Sequence, residues 1–334
     1  MATIYEVSEL AKVSLATVSR VMNGNARVSD KTRDKVLAAM KELGYRPNTI
    51  AQSLASNRSN CIGLLVSEIH GPFFGQMMSG VETEIRKAGK HVIITTGHSE
   101  EDKEKDGIEF LISRSCDAII LHVEAVSDDY LIELSKGKTP IYLVSRQVEQ
   151  LSQKCISLDN ELGGYLATKY LIDMGHREIA YIAGPLYKPD AAARLAGHKR
   201  ALLENNLEVN KQLICEKEFK EQGGIKGLKH FLKTGEKFTA LVCANDEIAS
   251  GAMTYAREHN LKMPKDLSVI GFDNVVFAPH LYPKLTTIDN PVHQMGRMAA
   301  KLVLKDVYKQ KHEIKRLFKP TLIIRDSVSV VDKG

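Results

Sequence analysis

The chain has no run approaching about 18 uninterrupted apolar residues, which excludes a membrane-spanning helix. Its opening, MATIYEVSEL, lacks a basic stretch followed by an apolar one, so nothing there reads as a secretory signal. Cysteine is sparse. The five residues Cys61, Cys116, Cys155, Cys215 and Cys243 are an odd number with no C-x-x-C pair and mostly apolar neighbours. Buried thiols in a reducing cytoplasmic compartment, close to the nucleoid if the chain binds DNA, are the expectation. Catalytic motifs are missing as well: no G-x-x-x-x-G-K-[ST], no G-x-G-x-x-G after a strand, no G-x-S-x-G and no H-E-x-x-H. The eleven histidines are scattered, so no metal site, cofactor or catalytic residue is expected. Asp159-Asn160-Glu161 offers two carboxylates, but capping the next helix is their more natural use. No leucine heptads follow Val330, which argues against a C-terminal coiled coil and for a dimer rather than a tetramer.

What is present is unevenly placed. A chain of 334 residues, 43% apolar and 26% charged, is long enough for two or three compact units. The net charge is +5, and residues 1–60 hold most of it: nine Lys and Arg side chains against five Asp and Glu, an excess of four. A basic head on a nearly neutral body suggests a polyanion-binding module joined to something else.

Residues 1–46 read as three short helices. Thr3-x-x-Glu6 is a capping box, followed by Val7, Leu10 and Ala11 at helical spacing. Ser14 caps a second run with Val18 and Val21 on one face, only about three residues after the first, a tight helix-turn-helix connection. A third helix opens at Ser29-Asp30 and stops at Gly44. In such a unit the start of the second helix meets base edges in the major groove. Those residues are Leu15, Ala16 and Arg20. Arginine can bond guanine through two parallel hydrogen bonds, whereas Leu15 and Ala16 meet thymine methyls. Thr3, Ser14, Thr17 and Asn23 are short polar groups placed for phosphates. Residues 47–60 form a linker whose helix potential is too short to be stable alone.

From Cys61 onward, apolar strand-like runs (CIGLLVSE, HVIITTG, DAIILHV, PIYLVS, CISLD, EIAYIAG, ALVCAND, LSVIGFD and TLIIRD) alternate with helical patterns at 74–88, 103–113, 161–174, 191–204, 246–259 and 292–308. Continuous apolar strands alternating with helices mean parallel sheets covered on both faces. Nine to eleven strands are too many for one comfortable sheet, so residues 61–334 are expected to form two α/β lobes.

VSELAKVSLATVSRVMNGNARVS and TRDKVLAAMKELGYRPNTIAQSL closely resemble the head of the lactose-repressor family of bacterial transcription regulators. The likeness continues through IGLLV, PFF, RLAG, ANDEIASGAM and SVIGFDN. The resemblance implies a homodimeric repressor reading a pseudopalindromic operator. It also implies a hinge in which Leu54 wedges into the minor groove beside Asn48 and Ala51. It implies an effector core like the periplasmic sugar-binding proteins, crossed three times near 158–161, 288–291 and 318–321. One lobe is then about 61–158 with 291–319, and the other about 161–288 with 321–334. Matched motif by motif, Arg194, Asn245 and Asp273 become polar ligand contacts, and Phe73, Phe74 and Phe219 apolar walls. Asp246 is expected to cap the following helix. Two departures stand out: Lys12, where the family most often has Gly or Asn, and Ser145, where many relatives carry an aspartate. QKCISLDN, LATKYLIDMGH and KPTLIIRDSVS resemble the galactose branch, the basis for naming that sugar. The residues alone suit a small sugar or polyol. A purine co-repressor is the rival ligand, and a stand-alone sugar-binding protein the non-regulatory reading.

Overall fold

The computed structural model describes residues 2–22, 28–46 and 58–331, and the chain divides into two compact units, 1–60 and 61–334. In the first, α1 (Ile4–Ala11), α2 (Leu15–Met22) and α3 (Asp30–Glu42) close around Val7, Ala11, Val18, Val21, Val36 and Ala39. These residues recur at helical spacing, so each short helix has one buried stripe. Thr3 accepts from the Glu6 N–H, and the Glu6 carboxylate accepts from the Thr3 N–H at 2.6 Å. Lys12 ends α1 in the left-handed region at φ 54. The Ser14 hydroxyl accepts from the Thr17 N–H at 3.2 Å. Ser29 precedes α3 but turns its hydroxyl to Thr32 (2.9 Å) and makes no backbone cap. Gly44, at φ 59, ends the helix.

The second unit holds two six-stranded sheets. In the first the order is β11 (Leu317–Phe318), β5 (Cys155–Leu158), β4 (Ile141–Val144), β3 (Ala118–Leu121), β1 (Cys61–Val66) and β2 (His91–Thr96). In the second it is β12 (Thr321–Ile323), β10 (Thr286–Asp289), β9 (Ser268–Asp273), β8 (Ala240–Cys243), β6 (Ile179–Ala183) and β7 (Ile214–Glu216). Pairing is parallel except between β10 and β12, which run antiparallel, with Ile288 opposite Leu322. The strands β3, β4, β5, β6 and β8 are buried along their whole length because helices cover both faces.

The helices are α4 (Pro72–Lys87), α5 (Glu101–Ser113), α6 (Asp128–Leu134), α7 (Asn160–Asp173), α8 (Pro189–Glu204), α9 (Glu221–Thr234), α10 (Asp246–Glu258) and α11 (Val292–Tyr308). The chain passes between sheets from β5 into α7, from β10 into α11, and from β11 to β12. Five elements depart from the sequence reading by being present: β7, β10, β11, α6 and α9. The strand expected over TLIIRD pairs only across Thr321–Ile323.

Candidate functional site

On the head, Leu15, Ala16 and Arg20 are exposed on α2, while Val18 and Val21 of the same helix are buried. Thr3 and Ser14 commit their hydroxyls to caps, and Thr17 Oγ1 meets Ser14 Oγ at 2.9 Å, so these three set helix geometry first. Asn23, Asn48, Ala51 and Leu54 lie outside the described residues.

In the core, Phe73, Phe74, Arg194, Phe219, Asn245 and Asp273 all line one cleft between the two sheets, with a cavity of about 290 Å³. A common rule places them. Ligands of parallel α/β sheets collect beyond the carboxyl ends of the strands. Ser67 follows β1, His122 follows β3, Ser145 follows β4 and Asn160 follows β5; across the cleft, Asn245 follows β8 and Asp273 ends β9.

Arg194 is 3% exposed and tied on every side. Its Nε donates to Asn160 Oδ1 at 2.9 Å and its Nη1 to the Ala244 carbonyl at 2.6 Å. Its Nη2 lies 3.5 Å from both Asp190 and Asp273, and the guanidinium stacks 3.7 Å from the Phe272 ring centroid. A guanidinium held this way offers fixed donors to a ligand without further ordering of its own long chain. Asp273 sits at φ 104, a strained conformation for a residue other than glycine. Burial pushes its carboxyl up to about 6, with Arg194 and the amide of Asn290 (3.0 Å) opposing. Phe73 and Phe74 meet edge to face at 5.2 Å, and the His122 ring packs on both. Phe219 lies against Gly184, where a Cβ would be 2.2 Å from the ring.

The cap position is corrected. Asn245, not Asp246, is the N-cap of α10, its Oδ1 accepting from the Ile248 N–H at 2.9 Å. Asp246 is fully buried and braces the floor of the lobe, accepting from Thr287 Oγ1 (2.6 Å) and the Val275 N–H (2.9 Å). Burial, reinforced by Asp273, raises it to about 8.

Sequence reasoning missed the pairs that join the lobes across the cleft. Lys188, just before α8, bonds Glu124 at 2.7 Å and Ser99 at 3.3 Å, and Lys220 pairs with Glu68. Burial disfavours the charge of Glu124, but His122, Lys188 and Ser99 outweigh it and hold the carboxyl at about 2. The position of Glu124 past the end of β3 was the available signal. Ser145 adopts φ 63, and its buried hydroxyl has no partner among the described residues.

Comparison with known proteins fits both units. Residues 3–48 match "Bacterial regulatory proteins, lacI family", and residues 168–328 match "Periplasmic binding protein-like domain". The chain is 38% identical to the HTH-type transcriptional regulator GalR of Escherichia coli strain K12, over 98% of this chain and 96% of that protein. The chain belongs to the LacI family. A ribose operon repressor of Haemophilus influenzae is 35% identical over 98% of this chain and 99% of its own length. The crystal structure of a lac repressor dimer bound to operator and the anti-inducer ONPF superposes with a TM-score of 0.87 at 30% identity, covering 98% of this chain and 99% of that one. This LacI-family chain is therefore a DNA-binding transcriptional regulator, not an enzyme. Among the described residues no group of three or more His, Cys, Asp or Glu could hold a metal ion, and no helix is long and apolar enough to cross a membrane.

Proposed function

We propose that the protein is a cytoplasmic homodimeric repressor that binds a pseudopalindromic operator and is released from it by galactose bound between the lobes. The observation that carries the ligand class is the charge pairing of the cleft. Every cation on its wall already has a carboxylate: Arg194 has Asp190 and Asp273, Arg146 has Asp128, Lys188 has Glu124, and Lys220 has Glu68. Such a wall has no net positive charge to spare for a phosphate, and its fixed donors and acceptors suit the hydroxyls of a neutral sugar. The Phe73, Phe74 and Phe219 rings suit the C–H face of a pyranose. Galactose is favoured by the name and 38% identity of the GalR relative.

Regulation needs differential affinity for two lobe arrangements. In a dimer, a shift between lobes changes the spacing of the paired first lobes and hence of the two 47–60 segments that lead into β1. Those segments are too short to hold a helix unaided, so a small change in spacing is enough to unseat them.

The test is a thermal shift of the purified chain against galactose, ribose and hypoxanthine. Galactose at about 100 times its Kd should stabilise by about 2.7 kcal/mol. Stabilisation by ribose alone moves the assignment within the sugars, and stabilisation by hypoxanthine alone replaces it with a purine co-repressor.

A further inference from the structure

The core as a whole is nearly neutral, yet its cations gather at one end of the first sheet. All strand pairs of that sheet are parallel, so the amino ends of β11, β5, β4, β3, β1 and β2 lie together, away from the effector cleft. Most of these strands are entered through cations: Lys315 and Arg316 before β11, Lys154 before β5, Lys138 before β4 and Lys90 before β2. The exception is Asp117 before β3, and the Tyr308 hydroxyl holds its carboxylate. In the second sheet the same positions alternate in sign: Arg177 with Glu178 before β6, Glu236 with Lys237 before β8, and Lys265 with Asp266 before β9.

The segment from α11 to β11 makes this end more basic still. Residues 309–316 hold Lys309, Lys311, Lys315 and Arg316 against one carboxylate, Glu313. Contacts on either side fix the segment against the strand ends. Lys90 Nζ lies 4.5 Å from the centroid of the Tyr308 ring, and Arg316 Nε donates to the Gln153 carbonyl at 3.0 Å. Lys138, Lys309, Lys311 and Lys315 are exposed, and none of the four forms an ion pair among the described residues. In the effector cleft every cation has a carboxylate. Helix dipoles favour cations on the last turn, which accounts for Arg86 and Lys87 at the end of α4. Lys138 and residues 311–316 lie beyond any helix end, so that cause does not reach them.

We propose that the amino end of the first sheet is an accessory DNA surface, which holds phosphates without reading bases. Unneutralised lysines in a row raise the local positive potential and draw a polyanion. DNA is the polyanion this chain already binds, and residues 47–60, which lead from the DNA-binding head, enter the core at Cys61 on this same end. Flexible lysines act as point charges, which suits phosphates rather than base edges. The proposal rests on DNA binding by the head and not on the identity of the effector.

The test uses the full chain and an operator duplex selected from a randomised pool by the unmodified protein. Binding constants are measured across a salt series for the unmodified protein and for Lys138→Gln, Lys309→Gln and Lys311→Gln combined. Each lost phosphate contact takes about 0.9 off the slope of log K against log salt, so the slope should flatten by about 2 or more. Affinity for the operator and for the same duplex with one half-site scrambled should fall by the same factor, because phosphate contacts carry no sequence information. Arginine at the same three positions should restore the slope. A control combining Lys211→Gln, Lys237→Gln and Lys265→Gln removes the same charge from the amino end of the second sheet and should leave the slope unchanged. All six lysines are exposed, and melting curves check that each variant is folded. An unchanged slope in the first variant overturns the proposal and leaves the surface to an acidic protein. A slope flattened as much by the control overturns it too, since net charge alone would then account for the effect.

Discussion

Asp246 shows what a single buried carboxyl does to the pH response of the whole core. An unfolded aspartate titrates near 4, while burial raises this one to about 8. Between those values the folded chain holds a proton that the unfolded chain has lost, so stability falls as pH rises through the window. The expected outcome is a melting temperature that declines from about pH 4 to about pH 8, with a flatter profile in Asp246→Asn. Asparagine retains an acceptor for the Val275 N–H and presents an amide to Thr287. Melting curves of both proteins across that range check it; identical slopes would mean that Asp246 is ionised throughout. On the head, Arg20→Ala should weaken binding to the specific operator by about 1–3 kcal/mol while leaving random DNA nearly untouched. Competition binding with a base-pair substitution series reads this, and equal losses on both DNAs would make Arg20 a phosphate contact. Residue roles were the least legible level of the sequence. An aspartate followed by a helix looks like a cap, and only the packing of β9 and β10 around Asp246 reveals a buried strut beside the true cap, Asn245.

Elements were easier to read where periodicity was long, and the misses have physical causes. Strands β7 and β11 have three and two residues, too few for any alternation to register. Helix α9 went unassigned because three of its buried positions are Gly223, Gly224 and Gly227, which add no apolar side chain to the stripe. Gly224 is needed because a Cβ there would stand 1.9 Å from the Ile248 carbonyl of α10. The same device joins α7 to α8, where a Cβ on Gly164 would lie 1.9 Å from the Arg194 carbonyl. Gly164→Ala should therefore push α8 away, costing about 1–3 kcal/mol of stability as overpacked substitutions do. It should also weaken effector binding by shifting Arg194 off Asn160. Calorimetry with melting curves tests both effects, and an unchanged effector affinity would show that α8 moves without its arginine. In the head, Lys12 occupies a left-handed position that costs a residue with a side chain about 1–2 kcal/mol. Lys12→Gly, after about 0.5–1 kcal/mol of glycine entropy, should leave a gain of up to about 1.5 kcal/mol. Slower amide exchange at Val7 and Ala11 is the expected readout, and faster exchange would contradict it.

At the scale of the molecule, the two-lobed architecture was readable because strand-helix alternation over 274 residues admits few alternatives. The residues that bridge the lobes were not, since Lys188 and Glu124 look like ordinary surface charges until the lobes face each other. The proposed function requires that a sugar in the cleft and DNA on the head compete through the lobe arrangement. Its most direct test is operator affinity by fluorescence anisotropy, with and without galactose, for the unmodified protein and for Arg194→Ala and Asp273→Asn. Galactose should weaken operator binding by the unmodified protein. Both variants, checked as folded by their melting curves, should bind operator as well as the unmodified protein and ignore the sugar. Operator binding that galactose leaves unchanged or tightens in the unmodified protein would contradict release by galactose.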